Sequence, residues 1–140
     1  MSHDGGYVEK VREEMQSYVR TLLVDDSATI LMMERMILTK FPYEVLTAVD
    51  GEQAIALAVA EQPDLILMDV VMPKMNGFDA CRRLREIESM RSTPIIMVTT
   101  RGELANMESG FQSGCNDYVT KPINSVELLA KIRNYLEEAQ

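Results

Sequence analysis

Short apolar runs alternate along this chain with longer stretches of helical character, and this alternation is the feature that most constrains its fold. Most of the runs lack a clean alternation between apolar and polar residues, which is typical of central strands covered on both faces. The sequence therefore predicts five strands, in TLLVDD (Thr21–Asp26), YEVLTAV (Tyr43–Val49), DLILMD (Asp64–Asp69), PIIMVTT (Pro94–Thr100) and DYVT (Asp117–Thr120).

The segments between these runs have the spacing of amphipathic helices. We predict helices from Ser27, an N-cap, to a stop at Pro42; over Glu52–Glu61; from Phe78 to about Met90; over Glu103–Ser113, with Gly114 as the C-terminal cap; and from Ser125, a second N-cap. Three of these helices have a predicted core side: Ile30, Met33, Ile37 and Phe41 in the first, Ala80, Leu84 and Ile87 in the third, and Leu129, Ile132 and Leu136 in the last.

Five strand–helix repeats favour parallel strands joined by right-handed crossovers, and hence a doubly wound α/β sheet. The chain has 140 residues, which suits a single domain with one core. In such sheets the ligand site lies beyond the carboxyl ends of the strands. The residues that end the strands are therefore the first candidates for function.

Carboxylates, a hydroxyl and an ammonium lie at the ends of several of the predicted strands. Asp25 and Asp26 end the first strand, Asp69 ends the third, Thr99 lies near the end of the fourth, and Lys121 follows the fifth. Each has a structural alternative: a solvated turn for the aspartate pair, a strand terminator for Asp69, a β-forming residue for Thr99 and an exposed loop lysine for Lys121. Their joint placement at one edge of the sheet favours a site.

Three carboxylates at one edge repel one another, at about 4 kcal/mol per pair for a separation of about 4 Å and an effective dielectric constant of about 20. Lys121 supplies one positive charge, and an oxygen-only ligand set favours Mg²⁺ as a second. A cation, a lysine and a threonine hydroxyl around a carboxylate suit phosphoryl transfer to that carboxylate. The chain has no GxxxxGK[ST] or GxGxxG loop, so a bound nucleotide is not the expected phosphate source.

Composition excludes other classes of function. The net charge of −8 argues against direct nucleic-acid binding. The one histidine, His3, leaves no basis for a Ser-His-Asp site or a His-ligated metal. Cys81 and Cys115 are expected to be buried free thiols. The apolar runs are too short for a membrane span and no signal peptide is visible, so a cytoplasmic location without membrane contact is expected.

Four motifs occur in a characteristic order: LLVDDS, LILMDVVMPKMNG, PIIMVTT and DYVTKP. With them the sequence resembles a response-regulator receiver domain of two-component signalling, similar to the chemotaxis regulators, over Thr21–Glu138. The resemblance implies a flavodoxin-like fold, a five-stranded parallel sheet of order 2-1-3-4-5. We predict a receiver domain over residues 20–138, an N-terminal extension over 1–19 and a tail at 139–140.

The N-terminal extension has an apolar pattern of its own. Heptad spacing fits Val8, Val11, Met15, Tyr18 and Leu22, which suits a short signalling or dimerising helix. Two heptads are too few for a stable isolated coiled coil, and the alternative is a frayed extension that includes part of a cloning tail.

The resemblance also assigns roles around the metal. Asp69 matches the phospho-accepting aspartate, and Asp25, Asp26, Asp69 and the backbone carbonyl of Val71 match the Mg²⁺ ligands. Asp26 and Asp69 would bind directly and Asp25 largely through water. A cis peptide is expected before Pro122.

Further roles concern the phosphoryl group and the switch. Thr99 and Lys121 match the residues that contact the phosphoryl oxygens, and Thr99 and Tyr118 match the switch pair. Tyr118 has a structural alternative as an amphipathic edge-strand tyrosine. We also expect Val71 and Arg101 to tune the lifetime of the phosphorylated state.

The implied function is a signalling phospho-acceptor and not an enzyme acting on other substrates. The expected partners are a sensor histidine kinase or phosphotransfer protein and a downstream protein target, the latter contacted by the helix Glu103–Ser113, the fifth strand and the last helix. A monomer or weak dimer is expected. Two alternatives stay open: a phosphorylation-independent interaction module, and a phosphohydrolase, which Val71 disfavours because it leaves no second acid two residues after Asp69.

Overall fold

A computed structural model describes residues 19–39, 42–100 and 111–138. Five strands pair in parallel in the order β2-β1-β3-β4-β5, which confirms the predicted sheet. The strands are β1 (Val19–Val24), β2 (Tyr43–Ala48), β3 (Leu65–Asp69), β4 (Ile95–Thr99) and β5 (Asp117–Thr120).

Helices connect the strands and cover both faces of the sheet. They are α1 (Ala28–Leu38), α2 (Gly51–Glu61), α3 (Gly77–Glu86) and α4 (Ser125–Glu138), with a 3₁₀ turn at Glu88–Met90. Phe111 and Gln112 are also helical and Gly114 has a φ of 105°. The end of the predicted helix over 103–113 and its glycine cap are thus confirmed, while its start lies outside the described residues.

Two apolar layers bury the sheet. Side chains of β3 alternate between them: Ile66 and Met68 pack on the side of α2 and α3, and Leu65 and Leu67 on the side of α1 and α4. All four are fully buried, and burial of each such side chain stabilises the fold by about 1.5–3 kcal/mol. The prediction of central strands covered on both faces is therefore confirmed.

The buried side of α1 differs from the predicted one. Met33 is 39% exposed, whereas Glu34 and Leu38 are buried. Ile37 only partly contributes to the core, and Phe41 lies outside the described residues. The segment ILMMERMIL is apolar at nearly every position, so its periodicity did not identify the face that packs on the sheet.

Other helix details also differ. The predicted third helix ends at Glu86 because Ile87 is extended, and a separate 3₁₀ turn follows. In α4 the fully buried side chains are Leu128 and Ile132. The side-chain oxygen of Asn124 accepts a hydrogen bond from the backbone of Glu127 at 3.0 Å, so Asn124 and not Ser125 caps this helix.

The N-terminal prediction is tested only at its last residues. β1 begins at Val19, and Leu22 is fully buried in that strand, so Leu22 belongs to the sheet and not to a helical heptad. The other heptad positions lie outside the described residues. Cys81 and Cys115 are buried free thiols, as predicted. Within the described part of the chain, no helix combines the length and apolar character needed to cross a membrane.

Candidate metal centre

Three aspartates meet at the carboxyl edge of the sheet because β1 and β3 are neighbours. Val24 of β1 is in register with Met68 of β3, so Asp25 and Asp26, which follow Val24, lie beside Asp69. One carboxylate oxygen from each aspartate lies within 4.8 Å of the other two. The edge of the sheet therefore presents a compact set of three oxygen donors.

The two adjacent aspartates have different surroundings. Asp25 is 1% exposed, and its Oδ1 accepts a hydrogen bond from the backbone of Ser27 at 2.9 Å. Asp26 is exposed. A simple solvated turn does not account for the burial of Asp25. Asp26 is the member of the pair that presents its carboxylate to solvent.

Lys121 connects two of these carboxylates. Its Nζ lies 3.1 Å from Oδ1 of Asp69 and 3.4 Å from Oδ2 of Asp25. Burial acts to lower the pKa of Lys121, but the hydrogen bond and charge of Asp69, together with Asp25, outweigh it and raise that pKa above its usual value. Lys121 is thus a charged partner of the cluster and not an exposed loop lysine.

The backbone around Lys121 positions its side chain. The amide of Lys121 donates to the carbonyl oxygen of Thr99 at 2.7 Å, which ties the end of β5 to the end of β4. The Lys121–Pro122 peptide is cis, as predicted. Thr99 itself is the last residue of β4 and is fully buried, and its Oγ1 donates to the carbonyl of Thr100 at 3.2 Å. Its hydroxyl therefore lies at the same edge as the three aspartates.

The loop after Asp69 passes very close to the strand. The amide of Gly77 donates to the carbonyl oxygen of Val70 at 2.8 Å. A Cβ at position 77 would lie 2.4 Å from the backbone oxygen of Asp69 and 2.6 Å from Cε of Met97. Only glycine permits this approach, so Gly77 holds the loop against the aspartate. Val71 in this loop has a 59% exposed side chain, and its carbonyl stays a predicted ligand.

Tyr118 lies on β5, and its ring is close to two other side chains. The ring centroids of Tyr118 and Phe111 are 6.4 Å apart in an edge-to-face arrangement. Nζ of Lys131 lies 5.0 Å from the Tyr118 ring centroid on the α4 side. Tyr118 is half-buried. The structure shows Tyr118 in this one orientation. The role of Tyr118 as a switch stays a prediction. Arg101 lies outside the described residues.

One acidic residue whose pKa is affected by the charges of the cluster was not predicted from the sequence. Glu34 of α1 is 1% exposed, and its Oε1 has no hydrogen-bond partner among the described residues. Burial raises the pKa of Glu34 to about 8, with the charges of Asp25 and Asp69 adding to the shift and that of Lys121 opposing it. The only signal in the sequence is that Glu34 shares a helical face with Leu31 and Leu38.

The donor set fits a hard divalent cation. Oxygen ligands from one or more carboxylates, with water completing the shell, are what Mg²⁺ prefers. Asp25, Asp26 and Asp69 together carry more negative charge than Lys121 offsets, which favours a cation at this edge. The arrangement suits stabilisation of negative charge on a group that reacts with Asp69.

Comparison with known proteins agrees with this geometry. The family model described as "Response regulator receiver domain" matches residues 21–133. The DNA-binding dual master transcriptional regulator RpaA of Synechocystis sp. is 42% identical over 117 residues, which are 84% of this chain and 48% of that protein. The chain spans about half or less of the length of the curated relatives it matches.

Solved structures show the same fold. Chemotaxis protein CheY4 of Vibrio cholerae superposes with a TM-score of 0.80 at 34% identity, covering 85% of this chain and 99% of that one. The receiver domain of a sensor histidine kinase from Pseudomonas aeruginosa PAO1 superposes with a TM-score of 0.80 at 31% identity, covering 86% and 99% of the two chains. That structure has a magnesium ion coordinated in its active-site cleft.

The sheet order, the acidic edge and these matches lead to one assignment. The chain belongs to the response regulator receiver domain family, the receiver part of two-component response regulators.

Proposed function

We propose that this receiver accepts a phosphoryl group on Asp69, in a Mg²⁺-dependent reaction, from the phosphohistidine of a sensor histidine kinase or phosphotransfer protein. The observation that carries the proposal is the contact of Lys121 with Asp69 beside two further aspartates. This contact supports the proposal because the carboxylate of Asp69 then has one cation beside it and proposed ligands for a second cation nearby.

The reaction forms one bond and breaks another. A carboxylate oxygen of Asp69 bonds to phosphorus while the bond from phosphorus to the donor imidazole nitrogen breaks, and the electron pair stays on that nitrogen. Lys121 and Thr99 stabilise the negative charge on the phosphoryl oxygens. Mg²⁺, held by Asp25, Asp26, Asp69 and the carbonyl of Val71, would supply further positive charge.

The output is a change in a protein-binding face. After phosphorylation the hydroxyl of Thr99 moves to a phosphoryl oxygen, and the ring of Tyr118 leaves Phe111 and Lys131 and turns inward. The predicted helix over 103–113, β5 and α4 then contact a downstream protein target. The chain acts in this way as a monomer or weak dimer in the cytoplasm, without direct nucleic-acid binding. The receiver unit spans residues 20–138, with 1–19 as an extension and 139–140 as a tail.

Labelling with acetyl phosphate tests the acceptor. The wild-type chain should gain the mass of one phosphoryl group with Mg²⁺ and none with a chelator. Asp69→Asn should gain none under either condition. Asp79→Asn is the matched control, because Asp79 is a half-exposed aspartate in a surface ion pair with Arg82, and it should label like the wild type. Equal labelling of Asp69→Asn would refute the proposal.

A further inference from the structure

Glu34 is a buried acidic group that the proposed reaction does not use. It lies on α1 on the same buried side as Leu38. Its side chain is almost wholly inaccessible to water, and Oε1 makes no hydrogen bond within the described part of the chain. A buried polar atom without a partner destabilises a fold. Packing therefore does not explain a glutamate at this position, because an apolar residue such as leucine would fill the same space without that cost.

The charged groups that influence the ionisation of Glu34 belong to the proposed metal centre. The charged side chains with electrostatic effects on it are Asp25, Lys121 and Asp69, which are two of the proposed ligands and their lysine partner. Glu34 is not in the group of three aspartates whose oxygens lie within 4.8 Å of one another. It therefore lies outside this group of ligands and within range of their charge.

We propose that Glu34 is a positioning residue of the metal centre, a buried acidic group outside the ligand set whose charge raises the affinity for Mg²⁺. This inference rests on the proposed Mg²⁺ site. A divalent cation at Asp25, Asp26 and Asp69 attracts the charge of Glu34 through a protein interior that screens poorly. By reciprocity, the cation binds more tightly when that charge is present.

The expected change in Mg²⁺ affinity follows from the effect of removing groups that surround metal ligands in other proteins. Loss of such a group typically costs 10- to 100-fold in metal affinity. We therefore expect the Mg²⁺ dissociation constant to rise about tenfold in Glu34→Gln, which keeps the size and polarity of the side chain and loses its charge. Glu34→Leu should weaken Mg²⁺ by a similar factor, while its stability without metal should equal or exceed that of the wild type.

Two measurements on the full chain test the proposal. Isothermal titration with MgCl₂, at a pH above the value of about 8 to which burial raises the pKa of Glu34, gives the affinity. Urea unfolding in a chelator gives the stability without metal. Glu88→Gln is the matched control: it removes one exposed glutamate charge from the turn before β4, at the opposite edge of the sheet, and should bind Mg²⁺ like the wild type.

The outcomes separate this inference from the proposed function. If the wild-type chain does not bind Mg²⁺, both are overturned. If the wild type binds Mg²⁺ and both Glu34 variants bind it as tightly as Glu88→Gln does, only the role of Glu34 is overturned. A purely structural glutamate would change stability in the chelator and leave the dissociation constant unchanged. Should one Glu34 variant fail to fold, the other supplies the comparison.

Discussion

Nζ of Lys121 lies 3.1 Å from Oδ1 of Asp69, the proposed acceptor. The same ammonium lies 3.4 Å from the buried Asp25. One lysine at the end of β5 thus offsets part of the repulsion between aspartates that end β1 and β3. The balance of charge at this edge depends on Lys121 when no other cation is bound.

Replacing Lys121 should therefore make stability depend on Mg²⁺. Lys121→Met removes the ammonium that contacts both buried carboxylates, and we expect a loss of roughly 1 to 3 kcal/mol in a chelator. Mg²⁺ should restore much of that loss, because it replaces the missing positive charge. Urea unfolding with and without Mg²⁺ measures both values. Lys131→Met, which removes a lysine paired with Asp117 outside the site, should show no such recovery. Equal losses for Lys121→Met under both conditions would contradict the account.

Glu34 should make the stability of the metal-free protein pH-dependent. Its folded-state pKa of about 8 lies above the ordinary value of 4.5, so the folded state holds a proton that the unfolded state releases. The contribution of Glu34 to the free energy of unfolding is therefore largest below about pH 4.5 and decreases as the pH rises towards about 8. Relative to Glu34→Gln, the wild type should lose a few kcal/mol over this window. Urea unfolding across this range in a chelator measures the difference, and a constant difference would refute the assignment.

Gly77 should be intolerant of any side chain. Gly77→Ala places a Cβ 2.4 Å from the backbone oxygen of Asp69, and the loop must move to relieve the clash. We expect a loss of about 2–4 kcal/mol in urea unfolding, together with weaker Mg²⁺ binding.

Gly51→Ala is the control for that prediction. Its nearest contact would be Sδ of Met75 at 2.9 Å, and the end of a flexible methionine can move aside. A loss well below that of Gly77→Ala is expected. If the two variants lost equal stability, the close approach at Gly77 would not be the cause.

The proposed movement of Tyr118 can be followed by fluorescence. The chain has no tryptophan, so Tyr118→Trp introduces a single reporter next to Phe111 and Lys131. Addition of Mg²⁺ and beryllofluoride, a phosphoryl mimic, should shift its emission to the blue as the ring becomes buried. The same reporter in a Thr99→Ala background should respond weakly. An unchanged spectrum in the parent, or an equal shift in the parent and in the Thr99→Ala background, would refute the coupling.

The strands and their polar ends could be predicted from the sequence because both are local properties. Leu65–Met68 is apolar without interruption, and Asp69 follows directly. Parallel topology then brings the ends together, so Asp25 and Asp69 could be placed side by side without coordinates. The contact of Lys121 with both required the tertiary structure, because its reach across the edge depends on how β4 positions β5.

Helix α1 shows where local patterns fail. Met32 and Met36 are apolar and 63% exposed, while Glu34 between them is buried. Hydrophobic periodicity does not predict a buried glutamate, because it counts the cost of burying a carboxylate and because nearly every other position of this helix is apolar. The N-cap of α4 could not be predicted from the sequence either. Asn124 and Ser125 are both good N-cap residues, and only the backbone conformation shows that Asn124 is the cap.

The central claim is that Asp69 receives the phosphoryl group, and chemical mapping of the acyl phosphate tests it most directly. The chain is labelled with acetyl phosphate and Mg²⁺, then reduced with borohydride, which converts a phosphorylated aspartate to homoserine. Peptide mass spectrometry then locates the change. The account predicts conversion at Asp69 and none when Mg²⁺ is chelated. Conversion at Asp25, Asp26 or another carboxylate in place of Asp69 would contradict it.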